Sequence, residues 1–183
     1  MSHDGSILDL HTVEFKRLLP GPIELAWDYL TKPELLKTWF ADVTLEPRVG
    51  GAVQVRFTGA KDDKANCETG GVHGTIREFR RPHVIAFSWI QRRPQADGSR
   101  GDSDEGEVRF ELAQKGEKVL LTLLHSRLPT KELPNYGGGW HAYIDNLESV
   151  LSGRGAIDFM ALFHQLRPRY DDKVAGLQRS GAA

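Results

Sequence analysis

The sequence has little of what several classes of protein require. Among its 183 residues there is a single cysteine, Cys67, so a fold held by disulfides within the chain is excluded. The apolar runs, such as Val119 to Leu121, are far shorter than the ~20 residues of a membrane-spanning helix, and the polar N-terminus lacks an apolar signal core. We therefore expect a cytoplasmic protein that does not insert into a membrane.

An excess of charge of one sign is also missing. Lys and Arg together number 24 and Asp and Glu 25, which gives a net charge of −1 at pH 7. This balance provides no general attraction to nucleic acid, so no nucleic-acid partner is expected. Apolar residues make up 39% and charged residues 27% of the chain, as in ordinary globular proteins, and the length favours one domain.

The sequence predicts three parts of the chain: a flexible leader over 1–9, a domain over 10–152 and an extension over 153–183. In the extension, an amphipathic pattern predicts a short helix over 156–166, and the polar residues that follow are predicted to form a mobile tail. Ile157, Met160 and Phe163 of this helix could cap the domain or form a dimer contact, so monomer and homodimer both stay open.

The domain is predicted to begin with a strand and two short helices. Apolar and polar residues alternate in the first segment, with Val13, Phe15 and Arg17 on one face, which is typical of a half-buried strand. A Pro-Gly-Pro segment then ends this pattern. Helices are predicted over 23–30 and 31–40, and because both are too short to be stable alone, their aromatic residues must dock on something larger.

Further strands follow, and a long helix closes the domain. Alternation predicts strands in the segments 43–46, 53–57, 72–79, 85–89, 108–112 and 119–125. Polar loops are predicted over 59–71 and 91–106, and a linker rich in proline and glycine over 128–139. Trp140 to Leu151 has apolar residues at helical spacing and is predicted to be the main helix. Since a sheet with one apolar face needs a cover, we predict an α+β fold in which this helix covers an antiparallel sheet.

An ordered set of motifs resembles one protein family over roughly residues 11 to 152. The segments that carry the resemblance are Ile23…Trp27, Pro33…Leu36…Trp39-Phe40, Gly50-Gly51, Gly74…Glu78 with Pro82, Phe87-Ser88-Trp89, Glu107-Val108…Phe110…Leu112, Leu121…Leu123…His125 and Gly139-Trp140…Tyr143…Leu147. Each segment is unspecific alone, but together and in this order they are similar to the heat-shock protein 90 ATPase activator homologue-like family.

The resemblance implies the START-like, or SRPBCC, helix-grip fold. This is a curved antiparallel sheet of about six to seven strands wrapped around a long C-terminal helix, with two short helices after the first strand. Relatives with this fold bind lipids, sterols, polyketides and plant hormones, and some are cyclases or dehydratases. The family name also implies co-chaperone action and a link to the stress response. The eukaryotic activator carries a large separate N-terminal domain, whereas little precedes the first strand here, so a chaperone partner is the less favoured expectation.

We predict that the protein binds a small hydrophobic or amphipathic molecule in a cavity between the sheet and the C-terminal helix. The candidate lining residues are Val55, Phe57, Ile76, Phe87, Trp89, Phe110, Leu121, Leu123, Trp140, Tyr143 and Leu147. Two polar residues join them: Arg17 could pair with a ligand carboxylate, and His125 could make one hydrogen bond. For any single apolar residue of this set, a place in an ordinary filled core is the simpler interpretation. For the polar candidates, which also include His73 and His141, the simpler interpretation is a place at a strand end or on the surface.

Catalysis and metal binding are less favoured than binding. His125, or His141 with Asp145, could serve as a general base in a cyclase- or hydratase-type enzyme, but nothing in the spacing distinguishes them, so no catalytic residue is predicted. Two side chains four residues apart do not make a zinc site. The acidic segment 102–106 lacks the spacing of a calcium loop, so neither a metal nor a cofactor is expected.

Two further patterns have simple interpretations. The basic clusters at 80–81 and 92–93 are interpreted as solvated turns. Gly137 to Gly139 lacks the lysine of a phosphate-binding loop and is predicted to be a flexible entrance to the last helix, where it could act as a gate for a ligand.

Overall fold

The computed structural model describes residues 4–57, 71–94, 100–103 and 105–180. Within these ranges the chain forms nine strands and four α-helices. The strands are β1 (Ser6–Asp9), β2 (Thr12–Pro20), β3 (Asp42–Leu45), β4 (Ala52–Arg56), β5 (Val72–Arg80), β6 (Val84–Pro94), β7 (Arg100–Asp102), β8 (Gly106–Lys115) and β9 (Lys118–Ser126). The helices are α1 (Ile23–Thr31), α2 (Pro33–Trp39), α3 (Leu133–Leu151) and α4 (Phe159–Ser180).

The strands form one curved antiparallel sheet in the order β1-β2-β9-β8-β6-β5-β4-β3, with β7 paired to β6. The first long strand therefore lies beside the last, and Val13 pairs with His125. Along β2, Val13, Phe15 and Arg17 are buried and Lys16 is exposed, as the alternation in the sequence predicts.

Helix α3 lies against the inward face of this sheet. Trp140, Ile144 and Leu147 are buried at helical spacing and belong to the same apolar core as the inward residues of β2, β6, β8 and β9. The helix-grip fold expected from the sequence is thus confirmed, including the two short helices after the first long strand. No helix in the described part of the chain has the length and apolarity needed to cross a membrane.

Two short strands lie where the sequence predicts a leader and a loop. Ser6–Asp9 pairs with β2, and Arg100–Asp102 pairs with the end of β6. These strands are only four and three residues long, too short for an alternation that would reveal a half-buried strand. The predicted loop over 59–71, which contains Cys67, lies outside the described residues apart from Gly71, as do residues 1–3 of the predicted leader.

Helix α3 begins at Leu133, so the predicted flexible linker and gate at Gly137 to Gly139 are wrong. The structure shows a different reason for glycine at positions 137 and 138. A Cβ on Gly137 would lie 2.4 Å from Tyr170 Cδ1, and one on Gly138 would lie 2.9 Å from Arg167 Cα. The glycines therefore allow α4 to approach α3 closely, and they stand inside a helix because this contact outweighs their low helix propensity.

Helix α4 replaces the predicted short helix and mobile tail. It continues to Ser180, although Pro168 lies inside it. Its buried residues are Leu166, Tyr170 and Val174, which are spaced four apart on one stripe. Because the other sides of this helix are polar, the sequence beyond Arg167 resembles a solvated tail unless the stripe is recognised.

Candidate functional site

Seven aromatic or imidazole rings meet between the sheet and α3, and we call them the aromatic cluster. Its members are Phe40, Phe57, Trp89, His125, Tyr136, Trp140 and Tyr143. The ring centroids of Trp89 and Trp140 are 5.7 Å apart, and Phe40 stacks on Trp140 at 5.4 Å. These separations are typical of favourable aromatic pairs, so the cluster is packed ring against ring.

The sequence-predicted site residues all lie inward. Phe57 and Tyr143 are half-buried, and the others are buried: Arg17, Val55, Ile76, Phe87, Trp89, Phe110, Leu121, Leu123, His125, Trp140 and Leu147. The structure brings some of them into or against the aromatic cluster, and it places the remaining apolar ones in the surrounding core. Their contact with a ligand stays a prediction.

His125 is the polar residue at the centre of this cluster. It is fully buried, and the indole N–H of Trp140 donates a hydrogen bond to its Nδ1 at 3.0 Å. Burial lowers the pKa of His125 to about 3, so the imidazole is neutral at pH 7. Because Nδ1 accepts, the ring proton is on Nε2. His125 therefore presents an N–H donor, and its basic nitrogen is already used by Trp140, which makes it a poor general base.

The Nε2–H group of His125 has no hydrogen-bond partner within the described residues. Leaving a buried donor unsatisfied costs on the order of 1–3 kcal/mol. The ring centroids of Tyr136 and Trp89 lie 4.6 Å and 5.1 Å from that of His125, both in T-shaped contacts. Contacts with aromatic rings replace only a small part of a missing hydrogen bond. Gly106 lies opposite, and a Cβ there would be 3.2 Å from Nε2, so a larger residue at this position would press against the donor.

Tyr136 fastens the first turns of α3 to strand β6. Its hydroxyl accepts a hydrogen bond from the Trp89 indole at 3.3 Å and donates one to Gln91 Oε1 at 3.0 Å. Sequence reasoning missed this residue because it lay in the segment interpreted as a linker. Phe40 was also missed as a site residue, although it belongs to the motifs that carry the family resemblance.

A stack of four nearly parallel rings leads from the sheet across α3 to α4. The ring centroids of Phe57 and Tyr143 are 6.4 Å apart, with an angle of 23° between the ring planes. Those of Tyr143 and Phe159 are 4.3 Å apart, with an angle of 24°. Those of Phe159 and Phe163 are 5.9 Å apart, with an angle of 16°. Burial raises the pKa of Tyr143, so its hydroxyl stays protonated. The first turn of α4 thereby lies on the edge of the aromatic cluster.

A second group of side chains, the polar cluster, lies farther along α3. Arg17 Nη1 is 2.6 Å from Asp145 Oδ1 and 2.7 Å from Glu148 Oε2. Arg17 is thus inward, as predicted, but two carboxylates of α3 already balance its charge. A ligand carboxylate would have to compete with both.

His141 and Tyr170 complete the polar cluster. The Gly5 amide donates to the Tyr170 hydroxyl at 3.0 Å, and this hydroxyl lies 2.9 Å from His141 Nδ1. Nε2 of His141 lies 3.6 Å from Asp145 Oδ2, and because a carboxylate oxygen accepts, we assign the ring proton to Nε2 and the Tyr170 hydroxyl as the donor to Nδ1. Burial lowers the pKa of His141, aided by the charge of Arg17 and opposed by the charges of Asp145 and Asp4. Helix α4 and the N-terminal residues are thus joined to α3 through a neutral histidine.

The remaining predicted candidates lie elsewhere. His73 Nε2 is 3.5 Å from Asp102 Oδ2 in a half-exposed pair on β5 and β7. Among the described residues, no group of three or more His, Cys, Asp or Glu side chains could hold a metal ion. In the segment 102–106, Asp104 lies outside the described residues.

A cavity of about 270 Å³ opens on the outer face of the sheet rather than beneath α3. It is lined by Arg80, His83, Val84, Glu111, Leu112, Ala113, Leu120 and Thr122. None of these was predicted as a site residue, and a cavity between the sheet and α3 stays a prediction.

Solved structures with this fold include several bacterial proteins. CalU16 from Micromonospora echinospora is 20% identical, with a TM-score of 0.68 over 90% of this chain and 88% of its own. A Bordetella parapertussis protein is 27% identical, with a TM-score of 0.69 over 91% of this chain and 88% of its own. The Aha1 dimer from Colwellia psychrerythraea is 17% identical, with a TM-score of 0.57 over 76% of this chain and 95% of its own.

None of the curated proteins matches this chain. Residues 20–152 match the family described as "Activator of Hsp90 ATPase homolog 1-like protein". This match spans most of the chain and runs from the end of β2 to the end of α3, so it includes every strand and helix that positions the aromatic cluster except α4 and most of β2. The chain therefore belongs to the activator of Hsp90 ATPase homologue 1-like family, within the START-like (SRPBCC) helix-grip proteins.

Proposed function

We propose that this protein binds a small, uncharged, hydrophobic or amphipathic molecule at the aromatic cluster. The observation that carries the proposal is the buried and neutral His125, whose Nε2–H donor has no partner within the described residues. Aromatic rings surround this donor on α3 and on the sheet. The arrangement combines apolar walls with one orienting polar group, which is typical of a small-molecule site.

The chemistry of His125 defines the class of ligand. A carbonyl or ether oxygen would satisfy the Nε2–H and remove the free-energy cost of leaving it unpaired. A carboxylate would be disfavoured, because His125 is neutral and a buried anion without a charged partner is costly. A planar aromatic or alicyclic ketone fits both the rings and the donor.

Binding at this donor requires a ring to move. Nε2 is out of contact with solvent, so a ligand that reaches it must displace one of the surrounding side chains. Phe40, Phe57, Tyr136 and Tyr143 are only half-buried, whereas Trp89 and Trp140 are buried. The half-buried rings therefore form the accessible side of the site.

One further observation supports a binding role. The family and its helix-grip fold are consistent with ligand binding, and one similar structure, DynU16, is described as a protein of the dynemicin biosynthetic locus. DynU16 is 19% identical with a TM-score of 0.64 over 81% of this chain and 50% of its own, so this likeness supports the fold alone. We also propose a cytoplasmic location, with which a single cysteine that cannot form a disulfide within the chain is consistent.

The experiment compares two probes of nearly equal shape, 2-acetonaphthone with a carbonyl and 2-ethylnaphthalene without one. Calorimetric titration should give tighter binding of the ketone by roughly 3- to 10-fold, which is the size of one neutral hydrogen bond. His125→Phe should remove this preference. Gly106→Ala should reduce it by covering Nε2 while keeping the bond between Trp140 and His125.

The matched control is His73→Phe, which changes a half-exposed histidine outside the aromatic cluster and should leave the ketone preference intact. Failure of both probes to bind the wild-type protein would refute the proposal. An unchanged ketone preference in both His125→Phe and Gly106→Ala would remove His125 from the site.

Co-chaperone action is the second candidate, and the family description is the observation that favours it. Its test is stimulation of Hsp90 ATPase turnover by the purified protein. A rise in turnover that His125→Phe leaves unchanged would assign this activity to a surface other than the aromatic cluster.

A further inference from the structure

The two halves of α4 are attached to the protein in different ways. In the second half, Leu166, Tyr170 and Val174 are buried against α3 and its surroundings. None of residues 159–165 is buried, and Met160 is 43% exposed. Because burial of apolar surface is the main source of helix stability in proteins, the first half is held far less firmly than the second.

The second half is a fixed anchor. The ring of Tyr170 lies directly on Gly137, and the backbone of Arg167 lies on Gly138, each so close that a Cβ on the glycine would clash. The Tyr170 hydroxyl also bonds to the Gly5 amide and to His141 Nδ1. Displacing this half would open a closely packed contact and leave buried polar groups without partners.

The first half reaches the aromatic cluster through one ring. Phe159 stacks on Tyr143 at 4.3 Å, and Phe163 lies next to Phe159 on the following turn. Phe159 thus covers the outer side of Tyr143, while Phe40 and Phe57 contact Tyr143 from within. Moving Phe159 would uncover one of the half-buried rings that form the accessible side of the site.

Two points in the chain allow the first half to move separately from the second. Pro168 has no backbone N–H, so the helical hydrogen bond to the His164 carbonyl is missing between the two halves. Residues 152–158 before the helix are exposed, and Gly153 and Gly155 have positive φ angles of 72° and 84°. The Ile157 amide donates to Asn146 Oδ1 at 2.8 Å, which fixes one pivot just before the helix.

We infer that residues 159–165 are a movable outer wall of the aromatic cluster, anchored by the second half of α4, and that Phe159 is displaced when a ligand enters. The ligand part of this inference rests on the proposed function, whereas the difference in mobility does not. The wall lies outside residues 20–152, which match the family.

Hydrogen exchange of the protein without ligand tests the mobility alone. Amides of residues 162–165 should exchange at least 10-fold faster than those of residues 170–176, because the first half opens without the second. Equal protection of the two halves would overturn the inference, even if 2-acetonaphthone binds.

Stopped-flow quenching of tryptophan fluorescence by 2-acetonaphthone tests the role in entry. Phe159→Ala should raise the association rate by about 2- to 10-fold, which corresponds to the loss of one aromatic pair. Pro168→Ala should lower it, because a continuous helix resists bending. Val49→Ala, at an exposed apolar position outside α4 and the aromatic cluster, is the control and should leave the rate unchanged.

The outcomes separate the two proposals. If the wild-type protein does not bind the ketone, the proposed function fails, while the exchange experiment still decides the mobility. If the ketone binds and both Phe159→Ala and Pro168→Ala associate at the wild-type rate, the movable wall is refuted and the binding site stands.

Discussion

The aromatic cluster and the polar cluster lie along the same helix, α3, but they treat their buried polar groups in opposite ways. In the polar cluster, Arg17 lies against two carboxylates, and His141 accepts a hydrogen bond from the Tyr170 hydroxyl. Asp145 Oδ1 makes no hydrogen bond to the described residues, but the charge of Arg17 lies 2.6 Å from it. In the aromatic cluster, the Nε2–H of His125 is buried with neither a hydrogen bond nor an ion pair to the described residues. Since proteins satisfy nearly all of their buried polar groups, our proposal places the ligand at the aromatic cluster, and we expect the polar cluster to stabilise the fold.

The largest expected effect is the loss of Arg17. Arg17→Met keeps the length of the side chain but leaves Asp145 and Glu148 without their cation. Both carboxylates are about one-quarter exposed, so we expect a loss of roughly 2–3 kcal/mol in the free energy of unfolding, less than for a fully buried pair. Urea denaturation measures it, with exposed Lys16→Met as the control. A change as small as that of Lys16→Met would show that this cluster does not stabilise the fold.

The next effect is a loss of stability in mild acid. His125 has a folded-state pKa of about 3, below the unfolded value of about 6.5, and the pKa of His141 is lowered in the same direction. The folded protein then binds fewer protons than the unfolded one, so stability is full above pH 6.5 and decreases as the pH falls. At pH 5, the His125 term amounts to about 2 kcal/mol.

Urea denaturation at pH 7 and pH 5 measures this loss in the wild-type protein and in His125→Phe. The variant should lose about 2 kcal/mol less than the wild type, because a phenyl ring takes up no proton. Equal losses in the two proteins would mean that His125 is not the neutral, desolvated group that distinguishes the aromatic cluster.

The smallest effect is that of His125→Phe at neutral pH. The substitution removes an unpaired donor but leaves the Trp140 indole without its acceptor, so the two changes oppose each other and the net change should be within about 1 kcal/mol. Thermal denaturation of the variant beside Arg17→Met gives the comparison directly. A loss as large as that of Arg17→Met would place His125 among the groups that hold the fold.

The periodicity of the sequence predicts which side chains of a strand or helix face the core. Alternation places Arg17 and His125 inward, because a strand with one buried face repeats every two residues. Such a pattern does not reveal which residues these side chains contact. Arg17 pairs with Glu148 on α3, which lies more than a hundred residues away in the sequence. Tyr136 and Gly137 were assigned to a linker because proline and glycine usually interrupt helices, whereas here close packing of α4 outweighs that tendency.

The bond between Gly5 and Tyr170 makes β1 and α4 depend on each other. Lys173 strengthens the tie by donating to the Gly5 carbonyl at 2.6 Å, and both elements lie outside the residues that match the family. Two segments from opposite ends of the sequence are thus held together by hydrogen bonds. A cut or deletion in either segment should therefore destabilise the other, so that both would unfold together while the elements within residues 20–152 stayed folded.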